Sequence, residues 1–321
     1  MENPLQKEPM SILVVGSVAF DSIETPQGSR DRCLGGAATF FALAASYFTE
    51  VRVIAVVGED FTAEHEAVLT RRGVDTQGLE HTSGKSFHWT GSYVKSLNEA
   101  QTLKTELNVF ESFSPKVPAA YKDSEFLFLA NIDPVLQSNV RQQMPKVRMV
   151  CADTMNYWIT GHRDNLAKVL IGLDALLIND GEAKLLADNS NLVLAARKIL
   201  AMGPKALIVK HGEYGATAFF SEQAFPDAKA GSVTLPFRAP ALPLDEVVDP
   251  TGAGDSFAGG FFGYLASQPK VTPQAFKNAM FYGGVMGSFA VQRFGTERMQ
   301  ALTREEIDQR FALFRELSHL D

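Results

Sequence analysis

Six short apolar runs constrain this chain more than anything else in it. Residues 11–16 read SILVVG, 51–58 VRVIAVVG, 125–130 EFLFLA, 147–152 VRMVCA, 175–178 ALLI and 206–210 ALIVK. Short runs of this kind suit strands buried on both faces, as in a parallel sheet. Helix-like segments lie between them. Residues 37–48 are rich in alanine and aromatics, 61–72 follow the acidic start Gly58-Glu59-Asp60, and 192–202 stop at Gly203-Pro204. Strands alternating with helices predict an α/β fold with a parallel sheet covered on both faces.

One stretch breaks this rhythm. Residues 87–96 and 102–109 read as two strands joined by turn residues at 98–101, with polar and apolar side chains mixed. The spacing predicts a small β-flap inserted at about 87–109, of the kind that closes over a substrate. An edge hairpin that closes nothing has the same sequence pattern.

Several function classes are excluded early. The net charge is -7, from 30 Lys and Arg against 37 Asp and Glu. A mildly acidic chain is a poor partner for a nucleic-acid backbone. Its two cysteines, Cys33 and Cys151, make neither a disulfide framework nor a zinc set, and they suit a reducing cytosol. No apolar run approaches the length of a membrane helix, and MENPLQKEPM does not read as a secretory leader. The expected place is therefore the cytoplasm, with no membrane partner.

The chemistry concentrates in residues 249–260, DPTGAGDSFAGG. Gly252-Ala253-Gly254 is a small-residue turn whose N–H groups can approach an anion. A helix-compatible segment at 256–267 follows, so its positive dipole end faces the same place. Asp255 stands at that helix start. An anion nest beside a carboxylate fits phosphoryl transfer to a hydroxyl, the carboxylate taking the alcohol proton. A bare Gly-rich turn with Asp is equally a helix N-cap. Gly259 and Gly260, however, cost a helix about 1 kcal/mol each relative to Ala, which implies a close neighbour.

This string resembles the C-terminal signature of the ribokinase-like (PfkB) sugar kinase family, which also includes adenosine kinase and other nucleoside kinases. Residues 34–38, LGGAA, resemble the N-terminal signature, in which a Gly-Gly pair opens a helix. The resemblance spans roughly residues 12–295. It implies one ribokinase-like domain over 1–321: three α/β/α layers, a mostly parallel sheet and a small β-lid. It also implies Asp255 as catalytic base, with Gly252, Ala253 and Gly254 as anion hole for the γ-phosphate of ATP. Asn179 and Glu182, in Asn-Asp-Gly-Glu, resemble a motif that organises Mg²⁺ and phosphates largely through water, as the ion's reluctance to dehydrate requires. Taken alone, the same residues read as a turn and a helix start. Lys210, Gly212 and Gly215 sit where the family has its nucleotide loop. Asp249 and Thr251 resemble positions near a monovalent cation (K⁺) site in many members. Several members form homodimers through the lid.

For the acceptor, Asp21 resembles the family's Asp that grips two hydroxyls, and a carboxylate can accept from both members of a diol. Gly35 and Gly36 would let substrate lie on backbone. Typical members then place a sugar-contacting Asn four residues after the second glycine; here that position is Phe40. Phe40 cannot hydrogen-bond a hydroxyl. It stacks on a ring or fills core, and aromatics at this point also resemble some cyclitol kinases. Residues 153–158, DTMNYW, add aromatics after a strand.

Other motifs fail. Gly84-Lys85-Ser86 imitates the end of a Walker A loop, but position 79 is Leu79 rather than Gly. No GxGxxG follows the first strand, and there is neither HExxH nor GxSxG. The leading expectation is an ATP- and Mg²⁺-dependent kinase for a small sugar or nucleoside-like polyhydroxyl acceptor. The alternatives are a cyclitol kinase, a catalytically silent binding protein of the family, and a dinucleotide-binding oxidoreductase that lacks its fingerprint.

Overall fold

The computed structural model describes residues 10–225 and 235–318. Its strands are β1 (Ser11–Val15), β2 (Ala19–Thr25), β3 (Gly28–Gly35), β4 (Glu50–Val57), β5 (Asp75–His81), β6 (His88–Ser92), β7 (Gln101–Glu106), β8 (Phe126–Leu129), β9 (Met149–Asp153), β10 (Ala175–Asn179), β11 (Ala206–Lys210), β12 (Ala216–Phe220) and β13 (Phe237–Ala239). Its helices are α1 (Ala37–Ala45), α2 (Ala63–Thr70), α3 (Pro134–Gln143), α4 (Asn156–Gly161), α5 (Arg163–Leu170), α6 (Asp180–Ala187), α7 (Leu192–Ala201), α8 (Ala253–Ala266), α9 (Pro273–Ala290), α10 (Glu297–Ala301) and α11 (Arg304–Leu317).

Nine strands form one sheet in the order β13-β12-β11-β10-β9-β8-β1-β4-β5. From β11 to β5 every pairing is parallel; β12 and β13 add an antiparallel edge. The six apolar runs are six of the parallel strands. Each sends alternate residues to opposite faces. Ile12 and Val14 join the core under α1, α8 and α9, whereas Leu13 and Val15 join the core under α3, α5, α6 and α7. The result is a three-layer ribokinase-like α/β/α arrangement. Among the described residues no helix is long and apolar enough to cross a membrane.

The flap is larger than the sequence predicted. It is a four-stranded sheet of order β3-β2-β6-β7, in which β2 and β6 run parallel. Residues 87–109 supply only β6 and β7. The other half leaves the main sheet after β1 and returns to it at α1.

Helix α8 explains its own glycines. A methyl group at Gly259 would collide with the Phe41 carbonyl oxygen of α1 and come within 2.7 Å of Ala44 Cβ. At Gly260 it would meet Met286 Cγ at 2.6 Å and the Tyr282 carbonyl of α9 at 2.7 Å. The close neighbour is backbone on both sides. Gly259→Ala should therefore lower the melting temperature. The helix-propensity gain of about 1 kcal/mol is outweighed by about 1–3 kcal/mol of overpacking. A variant that melts higher than wild type would show that α1 and α8 can spread apart freely.

Candidate active site

The C-terminal ends of the parallel strands form one rim, where open α/β sheets bind ligands. Asp153, Asn179 and Lys210 end β9, β10 and β11 on this rim. Helix α8 delivers its N-terminus to the same region, and the turn before it is pinned by a buried carboxylate. Asp249 accepts from the Thr251 N–H at 2.9 Å and from the Gly295 N–H at 2.8 Å. Gly252 is the N-cap, at φ 71°, and its carbonyl accepts from the Ser256 N–H at 2.8 Å. The helix thus begins at Ala253, three residues before the predicted 256. Gly252, Ala253 and Gly254 are its cap and first turn, where amides lack intrahelical partners. The Ala253 N–H already donates to Pro250 at 3.2 Å, so of the trio it is the Gly252 and Gly254 amides that could receive an anion. Phe40 lies beneath them. It is 1% exposed, and any side chain on Gly252 would collide with its ring. Its place is packing against the turn.

Four charged side chains meet here. Burial pushes the Asp255 carboxyl up to about 6; Lys210 pulls it down and Glu182 pushes it up. Lys210 Nζ lies 2.8 Å from where a side chain on Gly254 would begin. Asp153 is buried, its Oδ1 has no hydrogen-bond partner, and its carboxyl lies well above the usual range through burial and the Asp255 and Glu182 charges. Sequence reasoning had noted Asp153 only as the start of an aromatic stretch. Three carboxylates around one ammonium leave an excess of negative charge that a divalent cation would relieve. Yet among the described residues no three His, Cys, Asp or Glu groups are placed to hold a metal ion. The donor set fits Mg²⁺ carried in on phosphate and water rather than caged by protein.

Asn179 and Glu182 form a capping box on α6. The Asn179 N–H donates to Glu182 Oε2 and the Glu182 N–H to Asn179 Oδ1, each at 2.8 Å. The structural role is therefore real, and Glu182 Oε1 remains for water or metal. Burial raises the Glu182 carboxyl, opposed first by Lys210. Gly212 and Gly215 bracket a 3₁₀ turn immediately after β11.

On the lid side, Asp21 projects from β2. It is 5% exposed and packs so tightly on Gly35 that no side chain fits there. Burial pushes its carboxyl up to about 7; the Gly36 N–H lowers it, while Asp249 and Asp255 raise it. Gly36 caps α1. The lid also contributes Tyr93, which the sequence did not single out. It is buried beside the Thr251 hydroxyl and the Asp249, Asp21 and Asp255 charges. Thr251 Oγ1 nevertheless makes no hydrogen bond of good geometry. Of the aromatics at 153–158, Trp158 donates to Asn131 Oδ1 at 3.0 Å and Tyr157 is 58% exposed.

A pH prediction follows from Asp21. Its folded-state value is raised, so its contribution to stability is full below about pH 4 and is lost as pH rises through about 7. Asp21→Asn should melt about 3 °C or more above wild type at pH 8, with the gap closing by pH 4. A variant less stable than wild type at pH 8 would mean that the ionised carboxylate is stabilised rather than strained.

Comparison with known proteins agrees with the fold and with the motifs. The model of the pfkB family of carbohydrate kinases matches residues 11–302. A cytidine kinase of Thermococcus kodakarensis is 28% identical over 269 residues, covering 81% of this chain and 90% of that protein. A nucleoside kinase of Methanothermobacter thermautotrophicus is 24% identical over 323 residues, covering 90% and 92%. Among solved structures, the nucleoside kinase of Burkholderia thailandensis with inosine superposes with a TM-score of 0.73 at 22% identity, covering 94% of this chain and 98% of that one. A ribokinase-like protein of E. coli in its apo form gives 0.76 at 20%, covering 95% and 99%. Motifs, fold and matched span together place the chain in the pfkB carbohydrate kinase family, as a phosphotransferase acting on a hydroxyl acceptor.

Proposed function

We propose that this protein transfers the γ-phosphoryl group of ATP to a hydroxyl of a nucleoside-like acceptor. The observation that carries this reading is Asp255, a carboxylate of raised pKa set at the first turn of α8 beside amides that lack helical partners. The named relatives, a cytidine kinase and a nucleoside kinase, favour a nucleoside over a plain sugar.

Each residue then has a task. Asp21 accepts hydrogen bonds from two neighbouring acceptor hydroxyls and so holds the reacting hydroxyl of the acceptor toward Asp255. As that oxygen bonds to the γ-phosphorus, the bond to the β-phosphate oxygen breaks and ADP leaves. Asp255 accepts the hydroxyl proton. The Gly252 and Gly254 amides and the α8 dipole receive the charge on the phosphoryl oxygens. Lys210, reaching across Gly254, offsets charge on the phosphate chain. In a loose transition state the proton leaves late, so a carboxylate near 6 suffices. Mg²⁺, when bound, would neutralise phosphate charge; Asn179, Glu182 and the unpartnered Asp153 Oδ1 are the groups that would hold its waters.

The remaining assignments belong to the same reading. Asp249 and Thr251 are the residues that would flank a monovalent cation such as K⁺. The lid edge leaves Leu103 on β7 53% exposed, and a second copy of the chain is its partner in a homodimer. The free cysteines suit the cytoplasm.

The test is ADP release from ATP and Mg²⁺ against pyrimidine and purine nucleosides, furanoses, hexoses and inositols. Asp255→Asn should keep the fold and cut kcat by roughly 10²–10⁴-fold. The acid limb of kcat/KM should show ionisations near 6 and near 7, from Asp255 and Asp21 respectively. An inositol as the best acceptor would establish the cyclitol alternative. ATP binding with silence across the panel would favour a binding protein. Near wild-type kcat in Asp255→Asn would remove that residue from the base role.

A further inference from the structure

Asn98 lies in the connection between β6 and β7, at the lid tip. Its side chain crosses to the loop after β11 and stops on Gly212. Asn98 Oδ1 fills the place where a side chain on Gly212 would begin, with Cγ 2.9 Å and Nδ2 3.5 Å from that point. The Asn98 backbone N–H donates to Ser96 Oγ at 3.2 Å, which holds the tip in a turn. The residue is otherwise exposed to solvent.

Five residues earlier on the same connection, Tyr93 is buried beside Thr251, Asp249 and Asp21. One short stretch of lid therefore touches both ends of the cleft, the acceptor carboxylates through Tyr93 and the loop after β11 through Asn98. The position along the donor is fixed by Lys210. Its ammonium lies over Gly254 at the α8 N-terminus, and Gly212 follows it by two residues. A phosphate chain bound at the α8 turn beside Lys210 would have the Gly212 loop as its next neighbour along β11.

We propose that Asn98 is a donor-binding residue supplied by the lid, its carboxamide N–H groups bonding to the polyphosphate of ATP. The inference rests on residues 210–215 being the nucleotide loop. A neutral amide suits the place, because it has two donors and brings no charge against the carboxylates below. Lid closure is then stabilised from the donor side as well as by the acceptor.

The test needs no acceptor. Affinities for Mg-ADP and Mg-ATPγS are measured by calorimetry for wild type, Asn98→Ala, Asn98→Asp, Asn98→Gln and Gly212→Ala, with Lys210→Ala as a second loop variant should Gly212→Ala not fold. Asn98→Ala should bind Mg-ATPγS roughly 10- to 150-fold more weakly, the scale of one hydrogen bond to a charged group. Asn98→Asp should be weaker still, with the gap to Asn98→Ala shrinking as salt is raised, and Asn98→Gln should recover part of the loss. A merely structural tip would not order the variants by charge. Wild-type affinity in all the Asn98 variants, with weakened binding in the loop variants, would overturn the proposal alone. Wild-type affinity in the loop variants as well would overturn the nucleotide-loop reading and the proposal with it.

Discussion

Helix α8 lies so close to α1 and α9 that its glycines rest on their backbones, and this contact fixes where its dipole points. Gly259 sits on the Phe41 carbonyl, Gly260 on that of Tyr282, and Gly263 against Ala45. A helix held at ordinary spacing would carry its N-terminus away from the rim formed by Asp153, Asn179 and Lys210. At the open end of α8, Phe40 on α1 meets Gly252 in the left-handed conformation. The two glycine signatures, one opening α1 and one opening α8, are thus parts of a single packed unit.

That unit gathers charge the fold alone would avoid. Asp21, Asp153, Glu182, Asp249 and Asp255 all have carboxyls raised first by burial. Carboxylates with close partners behave oppositely: Asp180, paired with Lys184, and Asp60, bonded to Ser86 and Arg32, are held below their ordinary values. Concentrating raised carboxylates in one place weakens the free protein and prepares it for a cationic partner and for hydroxyl donors. The strain and the chemistry have one cause, which is exclusion of water from a cluster of like charges.

The sequence showed the parallel strands because burial on both faces leaves an unbroken apolar run. Strands β1, β8 and β9 are buried at every residue. The edges were not legible for the same reason. Strand β5, DTQGLEH, buries only Leu79 fully, and five of the eight β3 residues are exposed. Half the lid was therefore missed. The helix α9 was hidden by Gly283, Gly284 and Gly287, which accommodate the Phe257 and Phe314 rings and lower helix propensity. In the site, local motifs such as GAGD and the Asn179–Glu182 box could be read directly. Tyr93, Asn98 and Asp153 reach the cleft only through tertiary folding and carry no local signal.

Phe40 bears on the acceptor through what it withholds. A side chain spent on packing beneath Gly252 offers no hydrogen bond to a hydroxyl. In the proposed reading, the acceptor's diol is then left with Asp21. One carboxylate can accept from two hydroxyls but cannot by itself distinguish a pentose from a hexose or a cyclitol. Discrimination must then come from the rest of the molecule being bound. The rim beyond β8 and β9 carries Asn131, Met155 and Trp158, linked by hydrogen bonds of 3.0 and 3.2 Å, with Tyr157 stacked edge-on against Trp158. An acceptor with a flat ring beside its diol can bury that ring against an aromatic surface of this kind. The apolar Phe40 and the aromatic pair at 157–158 both support the nucleoside-like acceptor proposed above.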